Sequence, residues 1–249
     1  MARPGSTGST ASTEASTATA AVATATGATR EHLTRPRVVA AALAIVDRGG
    51  LDGLTMRALG RELGVDPMAA YHWFPNKDSI LQGVGEAILA EIDVPTKWPA
   101  QSASWQEVAR AMAREYRAAL LRHPNALPVA STQPVMTPRG FELIERTSAA
   151  LVAGGLKPGP ALLAIDVISA FVIGECVVHA GVTPGTEPIP EEEVMAVYAA
   201  IDPAQFPTLA SAMAESAELL SDNDAQFEIA VDALIVGLGS SFRDRGRLR

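Results

Sequence analysis

The sequence predicts an all-α protein in which a small helix-turn-helix unit precedes a larger helical body. Three observations favour this fold class. Apolar residues recur at helical spacing through most of the 249 residues, no segment alternates for long with a period of two, and glycine or proline separates the apolar runs. With 48% apolar and 19% charged residues the chain can build a sizeable core, which excludes a collagen-like or wholly disordered protein.

Composition divides the chain into four parts. They are a tail over residues 1–29, a helix-turn-helix domain over 30–77, a helical body over 78–242 and a basic C-terminal tail over 243–249. In the first tail 24 of 29 residues are Ala, Gly, Ser or Thr, so too little apolar surface is present to offset the entropy of ordering, and we expect disorder. A flexible DNA-binding arm is the alternative, although such arms use Arg or Lys and this tail has only Arg3.

The first predicted helix begins at Pro36, after Thr34 or Arg35. Proline suits a first helical turn because its missing N–H would be unpaired there in any case. Gly49-Gly50 is expected to stop this helix. A later helix is predicted from Lys77 to about Ile92.

Two short helices are predicted between these longer ones. Thr55 is a favourable N-cap for a helix of about two turns that Gly64 ends. Asp66 and Pro67 open a second segment, which runs to Phe74. Two short helices joined by a Gly-Val-Asp turn are typical of a helix-turn-helix. The residues spaced to face its interior are Leu59, Leu63, Val65, Ala70 and Phe74.

The second short helix has the features of a segment that reads the major groove. Met68, Ala69, Tyr71 and His72 lie near its N-terminal end, where side chains reach base edges. Thr55 and Arg57 begin the preceding helix and Lys77 begins the following one, and the Thr55 and Tyr71 hydroxyls and the Lys77 ammonium suit phosphate contacts there. Other roles stay open: Tyr71 and Trp73 could pack in the core, and His72 could be a solvated surface residue.

The charge distribution agrees with DNA binding by the N-terminal unit. The formal charge of −8 excludes a uniformly basic coat, but it does not exclude a local basic face. Residues 30–77 hold seven Lys or Arg against five Asp or Glu, whereas residues 78–242 hold eight against 21. The acidic character therefore belongs to the body.

The run from Leu54 to Leu81, LTMRALGRELGVDPMAAYHWFPNKDSIL, closely resembles the DNA-binding domain of the TetR (tetracycline repressor) family. The most specific part extends from Gly64-Val65 through Tyr71 to Asn76-Lys77. A fainter likeness, in FPTLA at 206–210 and FEIAVDAL at 227–234, is to the closing segments of the branch that contains the tetracycline repressor itself.

This resemblance implies a homodimer with a three-helix DNA-binding head and a helical body on each subunit. It implies a four-helix dimer bundle from the helices at about 160–180 and 224–242. It also implies a small-molecule pocket whose occupation shifts the helix after the recognition helix and spreads the two heads. By motif position the family's DNA contacts fall on Met56, Arg57, Met68, Ala69, Tyr71, His72 and Lys77. Met68 and Ala69 are apolar where many relatives carry polar base-readers, so thymine methyl contacts and Arg57 would carry more of the specificity.

Six further helices are predicted in the body. They cover about residues 105–121, 139–153, 160–180, 191–201, 203–220 (as one or two short helices) and 224–242. Ser104 is the expected cap of the first, and His123-Pro124 ends it. Residues 125–138 are expected to form a loop or a broken helix. Gly154-Gly155 is expected to stop the helix predicted over 139–153.

Five residues of the body are candidate ligand contacts, each with a structural alternative. Glu175 and His179, one helical turn apart, suit a polar ligand or a metal, or equally a buried ion pair or the dimer seam. His123 suits a ligand contact or the charge complement of a helix C-terminus. Met136 and Phe171 suit an apolar pocket or the core. Two ligands make no metal site by themselves, so we expect neither a metal nor a cofactor.

The sequence therefore predicts a cytoplasmic regulator, most simply a repressor that binds a palindromic operator as a dimer and is released by a small hydrophobic effector. A single cysteine, Cys176, is typical of a reducing compartment, and no secretory signal or uncharged membrane span is expected. Catalytic motifs such as HExxH and GxSxG are absent from the sequence. The alternative is a helical small-molecule-binding or enzymatic protein whose helix-turn-helix is purely structural. An activator is a third hypothesis.

Overall fold

A computed structural model describes residues 33–92, 103–132, 137–179 and 190–247. Within these ranges all regular structure is helical and no strand occurs. The α-helices are α1 Arg35–Gly53, α2 Met56–Leu63, α3 Lys77–Ala90, α4 Trp105–Arg122, α5 Leu127–Thr132, α6 Pro138–Ala153, α7 Pro158–His179, α8 Glu191–Ala199, α9 Pro207–Ser221 and α10 Asn223–Arg247. Two 3₁₀ helices, Pro67–His72 and Pro124–Ala126, follow α2 and α4. The predicted tail over 1–29 lies outside the described residues.

The predicted starts of α1 and α4 are confirmed by their capping bonds, whereas the helices expected from 160 and 203 begin at Pro158 and Pro207. The Thr34 hydroxyl oxygen accepts a hydrogen bond from the backbone N–H of Arg37 at 3.4 Å. Ser104 caps α4 in a reciprocal capping box with Glu107, whose carboxylate accepts from the Ser104 N–H at 2.8 Å. Each cap satisfies an N–H that would otherwise have no partner at a helix start.

Helix ends agree with the sequence less closely. Gly49 and Gly50 do leave helical geometry, with φ of +65° at Gly50, but one further turn follows and α1 ends at Gly53. The helix predicted to end at 242 continues as α10 to Arg247, so most of the predicted C-terminal tail is helical. Residues 124–132 form a 3₁₀ turn and the short α5, which is the broken helix that was one of the two expectations.

The helix-turn-helix packs as its apolar spacing predicts, with one exception. Leu59, Leu63, Ala70 and Phe74 are buried, whereas Val65 in the turn is only half-buried. Gly60 lies where α2 touches the following segment. A Cβ there would be 2.9 Å from the Pro67 Cα, so the sequence can close this turn only with glycine.

α3 connects the N-terminal unit to the body. It packs on α1 and also on α4, α5 and α6. The predicted domain boundary after Lys77 therefore falls at the start of a helix that both units share. The body itself packs α4 against α6, α7 and α10, with Val108, Leu151, Ile168 and Ile235 buried. Where α4 begins, the Trp105 N–H donates to the Gly154 carbonyl at 2.9 Å.

α7 and α10 leave apolar faces exposed. Two segments, Pro158–His179 and Asn223–Arg243, are long and apolar enough to cross a membrane by length and composition. α7, however, carries Asp166 and an ion-paired Glu175, and it packs through buried residues in the body. Its outward face, which includes Leu162 and Val178, is exposed in the single subunit.

Candidate nucleic-acid interface

The turn after α2 aims the next segment away from the core. Gly64 adopts left-handed geometry with φ of +67°, which glycine alone adopts at little cost. The Asp66 carboxylate then accepts a hydrogen bond from the Met68 N–H at 2.7 Å, and Pro67 occupies the first helical position. These local bonds place the predicted reading residues at the surface.

The reading segment is a 3₁₀ helix, not the α-helix typical of the motif. In a 3₁₀ helix residues three apart lie directly above one another, so Met68 pairs with Tyr71 and Ala69 with His72. Met68 is 67% exposed and Tyr71 is 40% exposed, while Ala70 turns inward and is fully buried. The packing alternative for Tyr71 is therefore not what the structure shows.

Trp73 belongs to the same surface. It is 40% exposed, and its ring meets that of His72 edge to face, with centroids 5.5 Å apart. Sequence reasoning left its role open between packing and surface. The usable signal was that Ala70 and Phe74, four apart, already fill the inward direction, which leaves Trp73 outside.

The starts of α2 and α3 flank this surface. The Thr55 hydroxyl oxygen accepts from the Ala58 N–H at 3.1 Å, so its own proton remains available to a phosphate. Met56 is half-buried beside it. Arg57 is exposed, and across the described residues no ion pair engages its guanidinium.

Lys77 has a structural partner in addition to its predicted phosphate role. Its ammonium donates to the Leu51 carbonyl at 3.0 Å, which ties the start of α3 to the last turn of α1. An ammonium has three N–H donors, so this bond leaves two for phosphate. Lys77 thus both holds the head together and presents a positive charge at its surface.

Three of the predicted ligand residues lie in one cluster of the body. The Arg117 Nε donates to both carboxylate oxygens of Glu175 at 3.3 Å, and its Nη1 donates to Asp224 at 2.6 Å. The Arg117 guanidinium also lies over the Phe227 ring, 4.7 Å from its centroid, and Phe227 stacks on Phe171 at 6.0 Å. Arg117 and Asp224, which sequence reasoning missed, are 58 and 49 residues away from Glu175 in the chain.

Glu175 is the buried centre of this cluster, with 6% of its side chain exposed. His179 lies one turn later, with its Nδ1 3.3 Å from a Glu175 carboxylate oxygen. Burial opposes the charge on Arg117, but its bonds to Asp224 and Glu175 raise the pKa of its guanidinium. Burial raises the pKa of the adjacent Cys176 thiol to about 12. Glu175 is thus in a buried ion pair, but its partner is Arg117 and not the expected His179.

The other two ligand candidates do not join this cluster in the structure. Both ring nitrogens of His123 face carboxylates of other elements, those of Asp47 and Glu91. Met136 lies outside the described residues. Among the residues that the structure describes, no group of three or more His, Cys, Asp or Glu side chains could hold a metal ion.

Fold and surface together define a class: a helical regulator with an N-terminal helix-turn-helix, whose reading face is exposed, and a larger helical domain. Comparison with known families agrees. Residues 38–84 match the family described as bacterial regulatory proteins, tetR family, and residues 98–241 match the tetracyclin repressor-like C-terminal domain. The chain belongs to the TetR family, in its tetracycline repressor-like branch. The relatives are transcription regulators, so the alternative of an enzyme with a structural helix-turn-helix is not supported.

Individual relatives match different shares of the chain. The transcriptional repressor DrrR1 of Streptomyces coeruleorubidus is 34% identical over 57% of this chain and 52% of its own length. The chain thus spans about half the length of that relative. The class G tetracycline repressor of Vibrio anguillarum is 30% identical over 82% of this chain and 93% of its own length.

Solved structures extend the likeness to nearly the whole described fold. ActR from Streptomyces coelicolor, solved in complex with actinorhodin, superposes with a TM-score of 0.71 and 30% identity. The match covers 85% of this chain and 99% of the ActR chain. TetR from Acinetobacter baumannii superposes with a TM-score of 0.62 and 26% identity, over 85% of this chain and 99% of that one.

Proposed function

We propose that this protein is a transcriptional repressor that binds a palindromic operator as a homodimer and is released by a small aromatic effector. The observation that carries DNA binding is the exposed surface of Met68, Tyr71, His72 and Trp73. Large apolar and aromatic side chains grouped on a surface are usually covered in the functional state. Major-groove edges offer thymine methyl groups to Met68 and acceptors to Tyr71, and Arg57 and Lys77 are placed for phosphates. A DNA-bound regulator of this kind acts in the cytoplasm.

Homodimerisation is supported by the outward faces of α7 and α10. On α7 an exposed stripe with helical spacing consists of Leu162, Asp166, Ala170, Gly174 and Val178, the last of these being 74% exposed. A glycine inside a helix costs about 1 kcal/mol relative to alanine. A Cβ at Gly174 would meet nothing within 4 Å in its own chain, so no intrachain contact requires glycine there.

Packing against a second subunit would explain Gly174, because small residues let two helices approach closely. α10 has the matching features: Ile229 and Val236 are exposed, and a Cβ at Gly237 likewise meets nothing within 4 Å. We therefore assign the α7 and α10 faces to a four-helix bundle formed with a second copy of the chain.

The dimer is tested by Gly174→Phe, with Ala149→Phe on the exposed face of α6 as the matched control. Sedimentation should give a dimer for the wild type and the control, and a monomer for Gly174→Phe. A Gly174→Phe protein that stays dimeric with wild-type affinity would remove α7 from the interface.

DNA binding is tested by selecting fragments from the source genome with purified protein and then footprinting at stated salt. A dimer should protect two half-sites with centres about 34 Å, or one helical turn, or a multiple of it apart. Protection of a near-palindrome supports the proposal. A folded dimer that selects no sequence at any salt concentration refutes it.

The effector class follows from the Arg117 cluster. The Phe171 ring is partly exposed and stacks on the buried Phe227 ring, so it suits a planar aromatic molecule, while the Arg117 guanidinium is already bonded to Glu175 and Asp224. ActR, a structural relative, was solved with actinorhodin bound. Actinorhodin is therefore the first probe, titrated against the protein–operator complex.

We expect actinorhodin to release the operator and Phe171→Ala to weaken that release. Exposed Phe141→Ala on α6 is the control that should leave the release unchanged. Equal release from the wild type and Phe171→Ala would move the effector site elsewhere in the body. Failure of actinorhodin and of minocycline to bind at all would refute the proposed effector class.

A further inference from the structure

His123 lies where the body meets two helices of the DNA-binding unit. It is the residue after the last turn of α4, and 13% of its side chain is exposed. Its Nδ1 is 3.0 Å from both carboxylate oxygens of Asp47 on α1, and its Nε2 is 2.9 Å from a carboxylate oxygen of Glu91 at the end of α3. One imidazole therefore joins three helices.

The neighbours of His123 strengthen the same junction. The Arg122 Nε donates to the other Glu91 oxygen at 2.7 Å, and the Asn125 side-chain amide donates to the Asp47 carbonyl at 2.8 Å. The charged groups facing the imidazole are thus Asp47 from α1, Glu91 from the end of α3 and Arg122 from its own helix. α5, which also packs here, carries no titratable side chain over Leu127–Thr132. We call His123, Asp47, Glu91 and Arg122 the junction cluster.

The junction cluster is complete only when His123 is protonated. A neutral imidazole has one N–H, so one of its nitrogens would present a lone pair to a carboxylate. The imidazolium donates on both sides and makes the cluster electrically neutral, with two positive and two negative groups. Partial burial disfavours this charge, but the hydrogen bonds to Glu91 and Asp47 outweigh it and raise the pKa of His123 above 6.5.

The two helices held at this junction lead directly to the DNA-reading surface. α3 begins at Lys77, immediately after that surface, and its 14 residues extend about 21 Å to the junction. Asp47 lies on α1 one turn before Leu51, whose carbonyl in the last turn of that helix binds Lys77. A change at the junction therefore affects both α1, which precedes α2, and α3, which follows the reading segment.

We propose that protonated His123 is a positioning residue that holds the DNA-binding unit in one orientation on the body, so that operator affinity falls when the imidazole loses its proton. The inference rests on the proposed function, because only a dimer that binds two half-sites requires its two heads at a fixed separation. His123 touches no DNA in this arrangement. It acts through α1 and α3.

The direction of the pH effect follows because the protonated His123 side chain is the form that bonds to both Asp47 and Glu91. A group whose pKa is raised in the folded state contributes its stabilisation at low pH and loses it as pH rises through that pKa. Operator affinity should therefore be highest below the ordinary histidine pKa and should decrease as the pH rises through the raised pKa of His123. The junction cluster is partly exposed, so solvent screens its ion pairs. We therefore expect the operator affinity of the dimer to decrease about three- to tenfold and not to be lost completely.

The test compares the pH dependence of affinity for the selected operator fragment in the wild type and in His123→Gln. Glutamine can donate to one carboxylate but cannot carry the charge. We expect His123→Gln to bind at pH 6 as weakly as the wild type binds at pH 8.5, and to lose the excess pH slope. His72 on the DNA surface is present in both proteins, so its contribution cancels in the comparison.

Two further variants separate positioning from folding. Glu91→Gln should also flatten the profile, whereas Glu145→Gln, which removes an exposed carboxylate from α6, should keep it. A spin label at Asp52→Cys reports the distance between heads, because buried Cys176 is the only native cysteine. The distance distribution should broaden with pH in the wild type and be broad at both pH values in His123→Gln.

Parallel pH profiles for wild type and His123→Gln, with both proteins folded and bound to the operator, would overturn the inference. An unchanged distance distribution across pH would overturn it as well. If neither protein binds an operator at any pH, the proposed function fails instead. The two failures are therefore distinguishable.

Discussion

Among substitutions in α2 that add or remove one methyl group, Gly60→Ala should perturb the helix-turn-helix most. The added Cβ would lie 2.9 Å from the Pro67 Cα and 3.0 Å from both the Pro67 nitrogen and the Val65 carbonyl oxygen. All three are backbone atoms of the turn and the reading segment, so no side chain can rotate out of the way. The strain must be relieved by moving the reading segment away from α2.

The size of the effect is a difference of two terms. Overpacking by one methyl group costs about 1–3 kcal/mol, while replacing a helical glycine with alanine returns about 1 kcal/mol. Three backbone contacts at or below 3.0 Å place the overpacking cost in the upper part of its range, about 2–3 kcal/mol, so we expect a net cost of about 1–2 kcal/mol per subunit. If the segment stays in place, the cost appears as lower stability. If the segment moves, DNA must restore its position, and operator affinity falls about five- to thirtyfold per head.

The assay is a urea unfolding curve together with an operator titration on the same protein. Gly53→Ala is the control, because its Cβ would make only ordinary contacts at 3.9 Å and its backbone is not left-handed. The control should keep wild-type stability and affinity. A Gly60→Ala protein with both quantities unchanged would refute the reasoning that this close approach sets the position of the reading segment.

The other predictions concern single contacts. Lys77→Ala should weaken binding to every sequence and lower the slope of log affinity against log salt by about 1.8 per dimer, since each phosphate contact contributes about 0.9; an unchanged slope would leave Lys77 only its bond to Leu51. Tyr71→Phe should weaken operator binding about two- to tenfold through one lost hydrogen bond, without altering the melting temperature; a large fall in melting temperature would assign Tyr71 to the core. Thr137→Ala should destabilise α6 by about 1 kcal/mol, because the Thr137 hydroxyl accepts from the Gly140 N–H at 3.2 Å, and Thr137→Ser should restore the loss in urea unfolding.

Local chemistry was predictable from the sequence wherever one or two neighbouring residues settle the outcome. Thr55, Asp66 and Ser104 cap the helices that their positions predict, and Thr34 is the cap of the two residues expected before α1. The reason is that a cap bonds an N–H only two or three residues away, so the distance along the chain is also the distance in space. The motif around Tyr71 is also continuous in the sequence, and it indicated the family.

Some local features were less accessible. The reading segment is a 3₁₀ helix, and the kink at Gly49-Gly50 is followed by a further turn. Propensity separates α from 3₁₀ geometry weakly over six residues. The packing of Ala70 and Phe74 beneath the segment adds a restraint that the local pattern does not contain.

Contacts between distant segments could not be predicted from one sequence. Glu175 and His179 were visible as a pair one turn apart, but Arg117 reaches Glu175 across 58 residues. His123 was placed at a helix end correctly, yet its partners Asp47 and Glu91 lie 76 and 32 residues away. Charge complementarity alone allows many such pairs, because eight basic and 21 acidic residues occupy positions 78–242.

The amino-acid order was therefore sufficient for helix positions, the helix-turn-helix and the class of regulator, all of which depend on short-range spacing. Helix packing decides which charged groups meet, whether Trp73 is exposed, and how the DNA-binding unit is joined to the body. Packing brings together residues that are dozens of positions apart. It selects the junction cluster and the Arg117 cluster from many pairings that the sequence allows equally.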